Sequence, residues 1–272
     1  MGKIIFLDID GTIRDFDGLI PASAVRAIRA ARAAGHKVCI SSGRPCSQID
    51  PRVLEIGFDG VVSSAGGTVS YGGEWLSRRV FSPEDADEIC WFLIENNCLF
   101  EFGNRLQTGV LRVQEACYRE LSGRIQRQLG SGAAKLLGDL TAVEAVSAMP
   151  EIEKIMYFSR DALRDRILEA FGSRVRVVEF SIPNCGDHGG EITPAGVDKA
   201  AGISVILEAA GFTPEDAVAV GDSDNDIEML QLAAVGVAMG NGSPAVKQCA
   251  DLVTASLRED GLEKAFLRLG LI

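Results

Sequence analysis

Two aspartates close a short apolar run near the start of the chain, in Ile4-Ile5-Phe6-Leu7-Asp8-Ile9-Asp10-Gly11-Thr12, and their type and spacing could do chemistry. Ile4 to Leu7 reads as a strand buried on both faces. Strand periodicity sends Asp8 and Asp10 to one side and Ile9 to the other, so two negative charges converge where the strand stops. That convergence costs energy unless a positive group arrives. A hard divalent cation such as Mg2+ suits it, because it takes oxygen ligands and keeps coordination sites for water and phosphate. Carboxylates around such an ion, beside a lysine and a hydroxyl, form an electrostatic clamp for a phosphoryl group. Aspartate can accept that group, and water can then cleave the acyl phosphate, which divides one difficult hydrolysis into two easier ones. Asp8, first after the strand, is the expected nucleophile. Asp10 is then placed to protonate the leaving oxygen and later to deprotonate water.

The elements that must position these groups follow from periodicity. Pro21 to Gly35 reads as an amphipathic helix, Lys37 to Ile40 as a second buried strand, and Asp59 to Ser63 as a third. The second strand runs into Ser41-Ser42-Gly43-Arg44-Pro45, polar groups at a strand end once more. Ala65-Gly66-Gly67 opens a hairpin whose turn is expected at Tyr71-Gly72-Gly73-Glu74. From Ser82-Pro83 the pattern changes. Helices are expected near 83–97, 114–129, 140–147 and 161–171, with strands at 99–102, 106–113, 152–158 and 174–180. Pro183-Asn184-Cys185-Gly186 reads as an exit linker. Alternation then resumes: a helix over 197–211 carries Lys199 near its start, and a strand over 216–220 ends in Gly221-Asp222-Ser223-Asp224-Asn225-Asp226. Alternating strands and helices imply a doubly wound parallel α/β sheet, Rossmann-like, and ligands bind outside the carboxyl ends of its strands. For the clusters at both ends of the chain to meet there, residues 1–82 and 187–272 must form one core domain. Residues 83–186 are then an inserted α+β domain.

Composition narrows the function classes. The net charge of −11 argues against a broad basic face for nucleic acid, so an anionic substrate must be captured locally. The seven cysteines are odd in number and lack Cys-x-x-Cys pairs, which indicates neither a disulfide framework nor a thiolate zinc site. No apolar run approaches a membrane span, and Met1-Gly2-Lys3 leads straight into the first strand, so no membrane partner and a cytoplasmic address are expected.

Taken in order, Asp8-Ile9-Asp10-Gly11-Thr12, Ser42-Gly43-Arg44, Lys199 and Gly221-Asp222-Ser223-Asp224-Asn225-Asp226 resemble the four motifs of the haloacid dehalogenase superfamily. The branch it is most similar to is the Cof-like phosphatases with a class IIB α+β cap. The resemblance implies a Mg2+-dependent phosphatase acting through an aspartyl phosphate on a small phosphorylated metabolite, such as a sugar phosphate. It implies Asp8 as nucleophile and Asp10 as acid and base. Ser42, Gly43, Arg44, Lys199 and Asn225 would contact phosphate or substrate. Asp8, the Asp10 backbone carbonyl and Asp222 would bind the metal, Thr12 would support the loop, and Asp226 would support the metal or orient Lys199. Ser42 stands where this branch usually has threonine, and Ala65-Gly66-Gly67 where Asn-Gly-Ala is common. A phosphomutase of the same superfamily is the alternative. A phosphate-accepting signalling module would be much shorter and would lack the insertion.

Overall fold

The structure is a computed structural model and describes residues 2–129, 140–179 and 188–272. The chain divides into two compact units, one formed by residues 1–43, 49–78 and 198–272, the other by residues 44–48 and 79–197. Gly130-Ser131-Gly132, which reads as a loop in the sequence, and the exit linker expected at 183–186 lie outside the described residues.

The first unit is built on an eight-stranded sheet in the order β14-β13-β12-β1-β2-β3-β4-β5. Strands β1 (Ile4–Leu7), β2 (Lys37–Ser41), β3 (Gly60–Ser63), β12 (Ala217–Gly221), β13 (Val235–Ala238) and β14 (Leu252–Val253) run parallel. The hairpin β4 (Thr68–Tyr71) and β5 (Glu74–Arg78) adds two antiparallel strands at one edge. From β1 the chain winds outward through β2 to one side and, after the second unit, through β12 to the other. The carboxyl end of β1 is therefore the switch point, where loops on opposite sides part and leave a crevice.

Alternating side chains of β1 feed two cores. Ile5 and Leu7 face helices α1 (Ala22–Ala33) and α9 (Gly261–Arg268) through Ala27, Ile28, Leu262 and Phe266. Ile4 and Phe6 face α6 (Lys199–Ala210) and α7 (Ile227–Leu232) through Ile203, Ile206, Leu207 and Met229. With both faces covered, β1 is apolar throughout, as its sequence requires.

The second unit carries a six-stranded sheet in the order β10-β11-β9-β6-β7-β8. Its strands are β6 (Leu99–Gly103), β7 (Thr108–Leu111), β8 (Leu140–Val143), β9 (Lys154–Ser159), β10 (Val175–Glu179) and β11 (His188–Pro194). Helices α3 (Pro83–Glu95) and α5 (Arg164–Phe171) pack on one face, and α4 (Glu115–Leu129) on the other.

Two expectations need correction here. Residues 140–147 form strand β8 and then a single tight turn at Val146–Ala148, because the edge of β7 offers Leu140 to Val143 a parallel partner. The unit boundaries also differ. Expected at 82/83 and 186/187, they fall at 78/79 and 197/198, and residues 44–48 join the second unit. The later crossing is explained by β11, which despite its two glycines pairs with β9 and β10 on its two sides. Among the described residues no helix is long and apolar enough to cross a membrane.

Candidate active site

At the switch point the first unit gathers residues from both ends of the sequence. Asp8 follows β1 directly, and its backbone amide still donates to the Val220 carbonyl at 3.0 Å, so the nucleophile candidate is held by the sheet ladder. Beyond it the chain turns sharply: the amides of Ile13 and Arg14 donate to the Ile9 carbonyl at 2.9 and 2.8 Å, and the Gly11 amide donates to the Arg14 carbonyl at 2.7 Å. Gly11 has φ +91°, and a Cβ on it would fall 2.2 Å from Asp222 Oδ2. Only glycine meets both conditions.

Lys199 is the first residue of α6, whose start is capped by the Asp198 side chain accepting from the Ala201 amide at 2.7 Å. Its side chain is buried, and Nζ donates to Asp8 Oδ1 at 2.6 Å and to Asp226 Oδ1 at 2.5 Å. The approach of α6 depends on Gly66, at φ +105°, where a Cβ would lie 2.1 Å from the Asp198 carbonyl oxygen. Gly66, the first of two glycines in the 65–67 segment, thus seats the helix that carries the lysine, a role invisible in the hairpin reading of that segment.

Asp226 does two jobs. Oδ1 receives Lys199, and Oδ2 accepts from the amides of Asp222 and Ser223, each at 2.9 Å. It therefore orients the lysine and fixes the loop bearing Asp222. Asp222 in turn accepts from the Thr12 hydroxyl at 3.2 Å, tying the two acidic loops together.

Ligand oxygens of Asp8, Asp222 and Asp226 lie within 4.8 Å of one another, all three buried. Three carboxylates face one ammonium, and the electrostatics register the imbalance. Burial pushes the Asp8 carboxyl up to about 7, against the pull of Lys199 and with help from the Asp226 charge. Burial and the charges of Asp8 and Asp226 push Asp222 up to about 9. Burial alone would lower the Lys199 ammonium, but Asp226 and Asp8 outweigh it and the net shift is upward. An all-oxygen donor set with surplus negative charge fits a hard divalent cation.

The remaining expected residues are placed as follows. Ser42 is buried just beyond β2, its amide donating to the Val62 carbonyl at 2.8 Å and its carbonyl accepting from the Ala65 amide at 3.0 Å. Gly43 is the last residue of that stretch in the first unit. Asn225 accepts from the Ser223 hydroxyl at 2.8 Å. Arg44 belongs to the second unit, where its guanidinium donates to the Gln48 carbonyl at 3.3 Å. Asp10 stands apart from the carboxylate cluster: its Oδ1 accepts from Arg14 Nη1 at 2.9 Å.

Sequence reasoning missed Arg14 and Asn241. Asn241 donates to the Gly11 carbonyl at 2.9 Å and accepts from the Leu257 amide at 2.9 Å, holding the first acidic loop against the loop after β13. Its place in Gly240-Asn241-Gly242, a turn past a strand at the same sheet edge, was the available signal.

A family model for haloacid dehalogenase-like hydrolases matches residues 5–266, nearly the whole chain. The chain belongs to that family. A phosphoglycolate phosphatase of Methanopyrus kandleri is 28% identical, the match covering 98% of this chain and 97% of that protein. A solved sugar phosphatase of HAD subclass IIB is 27% identical with a TM-score of 0.82, covering 99% of this chain and all of that one. The chloroplastic endoribonuclease YBEY of Arabidopsis thaliana is 27% identical over 97% of this chain, which spans only 46% of that longer protein. Within the family the chain is a phosphatase, a phosphoric monoester hydrolase.

Proposed function

We propose that this chain is a Mg2+-dependent phosphatase that hydrolyses a small phosphorylated metabolite, a sugar phosphate, through an aspartyl phosphate on Asp8. The observation that carries the reading is the buried arrangement in which Lys199 holds Oδ1 of Asp8 while Asp222 and Asp226 close on the same point. A cation bound by Asp8, Asp222 and the Asp10 backbone carbonyl would supply positive charge against the phosphoryl oxygens.

The chain's own groups account for the remaining steps. Lys199 fixes one carboxylate oxygen of Asp8 and leaves the other, Oδ2, to attack phosphorus. As the bond from phosphorus to the ester oxygen breaks, Asp10 gives that oxygen a proton; the resulting Asp10 carboxylate later takes a proton from the water that attacks the acyl phosphate. Ser42, the Gly43 backbone and Asn225 are assigned to the phosphoryl oxygens, with the Lys199 ammonium beside them. Asp226 orients Lys199 rather than binding metal, since both of its oxygens are engaged by Lys199 and the two loop amides. Sugar phosphate as the substrate class is supported by the subclass IIB sugar phosphatase, which is alike in fold over the full length of both chains.

The test is turnover of an aryl phosphate with and without Mg2+, then a panel of phosphorylated sugars and acids ranked by kcat/KM. The reading predicts Mg2+-dependent release of phosphate, highest on a phosphorylated sugar. Absence of Mg2+-dependent hydrolysis, or full activity in Asp8→Asn, would refute it.

A further inference from the structure

Arg14 is a charged residue that the established family membership leaves without a task, and it is among the most deeply buried side chains in the protein, about 1% exposed. A guanidinium is taken out of water only where carboxylates repay the cost. Here there are two. Nη1 donates to Asp10 Oδ1 at 2.9 Å, and Nε lies 3.6 Å from Asp50 Oδ2. Asp50 is itself buried and anchored: it accepts from the Arg52 amide at 3.0 Å as the N-cap of α2 (Pro51–Leu54) and pairs with the Arg52 guanidinium at 2.6 Å.

The backbone of the Asp10 to Arg14 turn is closed by its own amides on the Ile9 and Arg14 carbonyls, so the turn has its hydrogen bonds without the guanidinium. What the guanidinium adds is a fixed direction for the Asp10 carboxylate. That carboxylate lies outside the Asp8, Asp222 and Asp226 cluster and keeps 16% of its side chain exposed. Without a cation of its own, a fourth carboxylate, two residues from Asp8, would be drawn to any metal held there.

We propose that Arg14, braced by Asp50, is a positioning residue that holds one oxygen of Asp10 and so reserves that side chain for proton transfer to the leaving group. The inference rests on the phosphatase reading given above. It predicts that the loss on removing Arg14 depends on how much the leaving group needs a proton, which a merely structural role would not do.

The experiment compares kcat/KM on glycerol 2-phosphate, whose alkoxide leaves only with a proton, and on 2,4-dinitrophenyl phosphate, whose phenoxide leaves without one. In Arg14→Gln the loss on the alkyl ester is expected to exceed the loss on the aryl ester by about tenfold or more, as misplacing a catalytic group by an ångström would cause. In an Asp10→Asn background the same substitution should add no further loss on the alkyl ester. If Arg14→Gln does not fold, Arg14→Lys carries the test, with the same substrate dependence on a smaller scale. Equal losses on the two esters, or a loss that adds fully to that of Asp10→Asn, would overturn the assignment. Asp8→Asn separates the two claims: if it hydrolyses both esters at the unmodified rate, the aspartyl-phosphate reading falls; if it is inactive while Arg14 variants lose equally on both, only the role of Arg14 falls.

Discussion

Gly11 and Asp222, more than two hundred residues apart in sequence, are packed so closely that a Cβ on the glycine would lie within 2.7 Å of both carboxylate oxygens. The contact, with φ at +91°, makes Gly11→Ala a selective probe of the join between the two acidic loops. The methyl group must displace Asp222 from the cluster. We expect kcat/KM to fall by about a hundredfold or more, while the far-UV spectrum stays that of the parent protein. Steady-state kinetics with circular dichroism checks both.

Asp226 offers both oxygens to donors, Lys199 on one side and the amides of Asp222 and Ser223 on the other. In Asp226→Asn one oxygen becomes an amide that can only donate, so it must face either the buried ammonium or two N–H groups. Breaking a buried pair on one side costs about 3–5 kcal/mol. The variant should show a loss of that order in urea unfolding followed through the first unit, and weak turnover from a lysine no longer aimed at Asp8.

A third prediction concerns the second unit, where Glu101 is buried on β6 and accepts from the Tyr118 hydroxyl at 2.6 Å. Burial pushes its carboxyl up to about 7, more than Tyr118 and Lys154 pull it down. The folded chain therefore binds this proton more tightly than the unfolded chain. The stability it contributes is whole below the ordinary glutamate value, declines as pH rises from there to about 7, and is level above. Glu101→Gln keeps an oxygen for Tyr118 and removes the decline. Relative to the parent, the variant should gain up to about 3 kcal/mol at pH 8 and nothing at pH 4. Hydrogen exchange at β6 and β9 amides in both proteins measures this.

Chelation supplies a fourth. Asp8, Asp222 and Asp226 repel one another around a single lysine, so a divalent cation that binds the folded site and not the unfolded chain must stabilise it. Mg2+ added to chelator-treated protein should raise Tm as well as restore turnover, and the rise should be lost in Asp222→Asn. A Tm that does not respond to Mg2+ in the parent protein would count against the metal site.

The chemistry-bearing strand ends were legible because each combines a buried strand with an abrupt polar cluster: Leu7 to Asp8, Ser41 to Ser42, Gly221 to Asp222. Periodicity also marked α1 as an amphipathic helix and placed α3. What stayed hidden was long-range pairing. His188–Pro194, expected within the core domain, carries two glycines and a proline, and pairing with β9 and β10 makes it a strand of the second unit. Leu140 to Val143 turned from helix to strand for the same reason, because β7 supplied a partner. Nothing in the sequence around Arg14 marks it out, since its meaning comes from Asp10 and Asp50 closing on it.

The central claim is that Asp8 carries phosphorus in the course of turnover, and trapping it tests the claim most directly. Protein mixed with a labelled sugar phosphate and Mg2+, quenched in acid within milliseconds and digested, should yield one labelled peptide, bearing an acid-stable, base-labile phosphate on Asp8 and lost in Asp8→Asn. Burst release of the leaving group with no label on that peptide, or label on another residue, would contradict it.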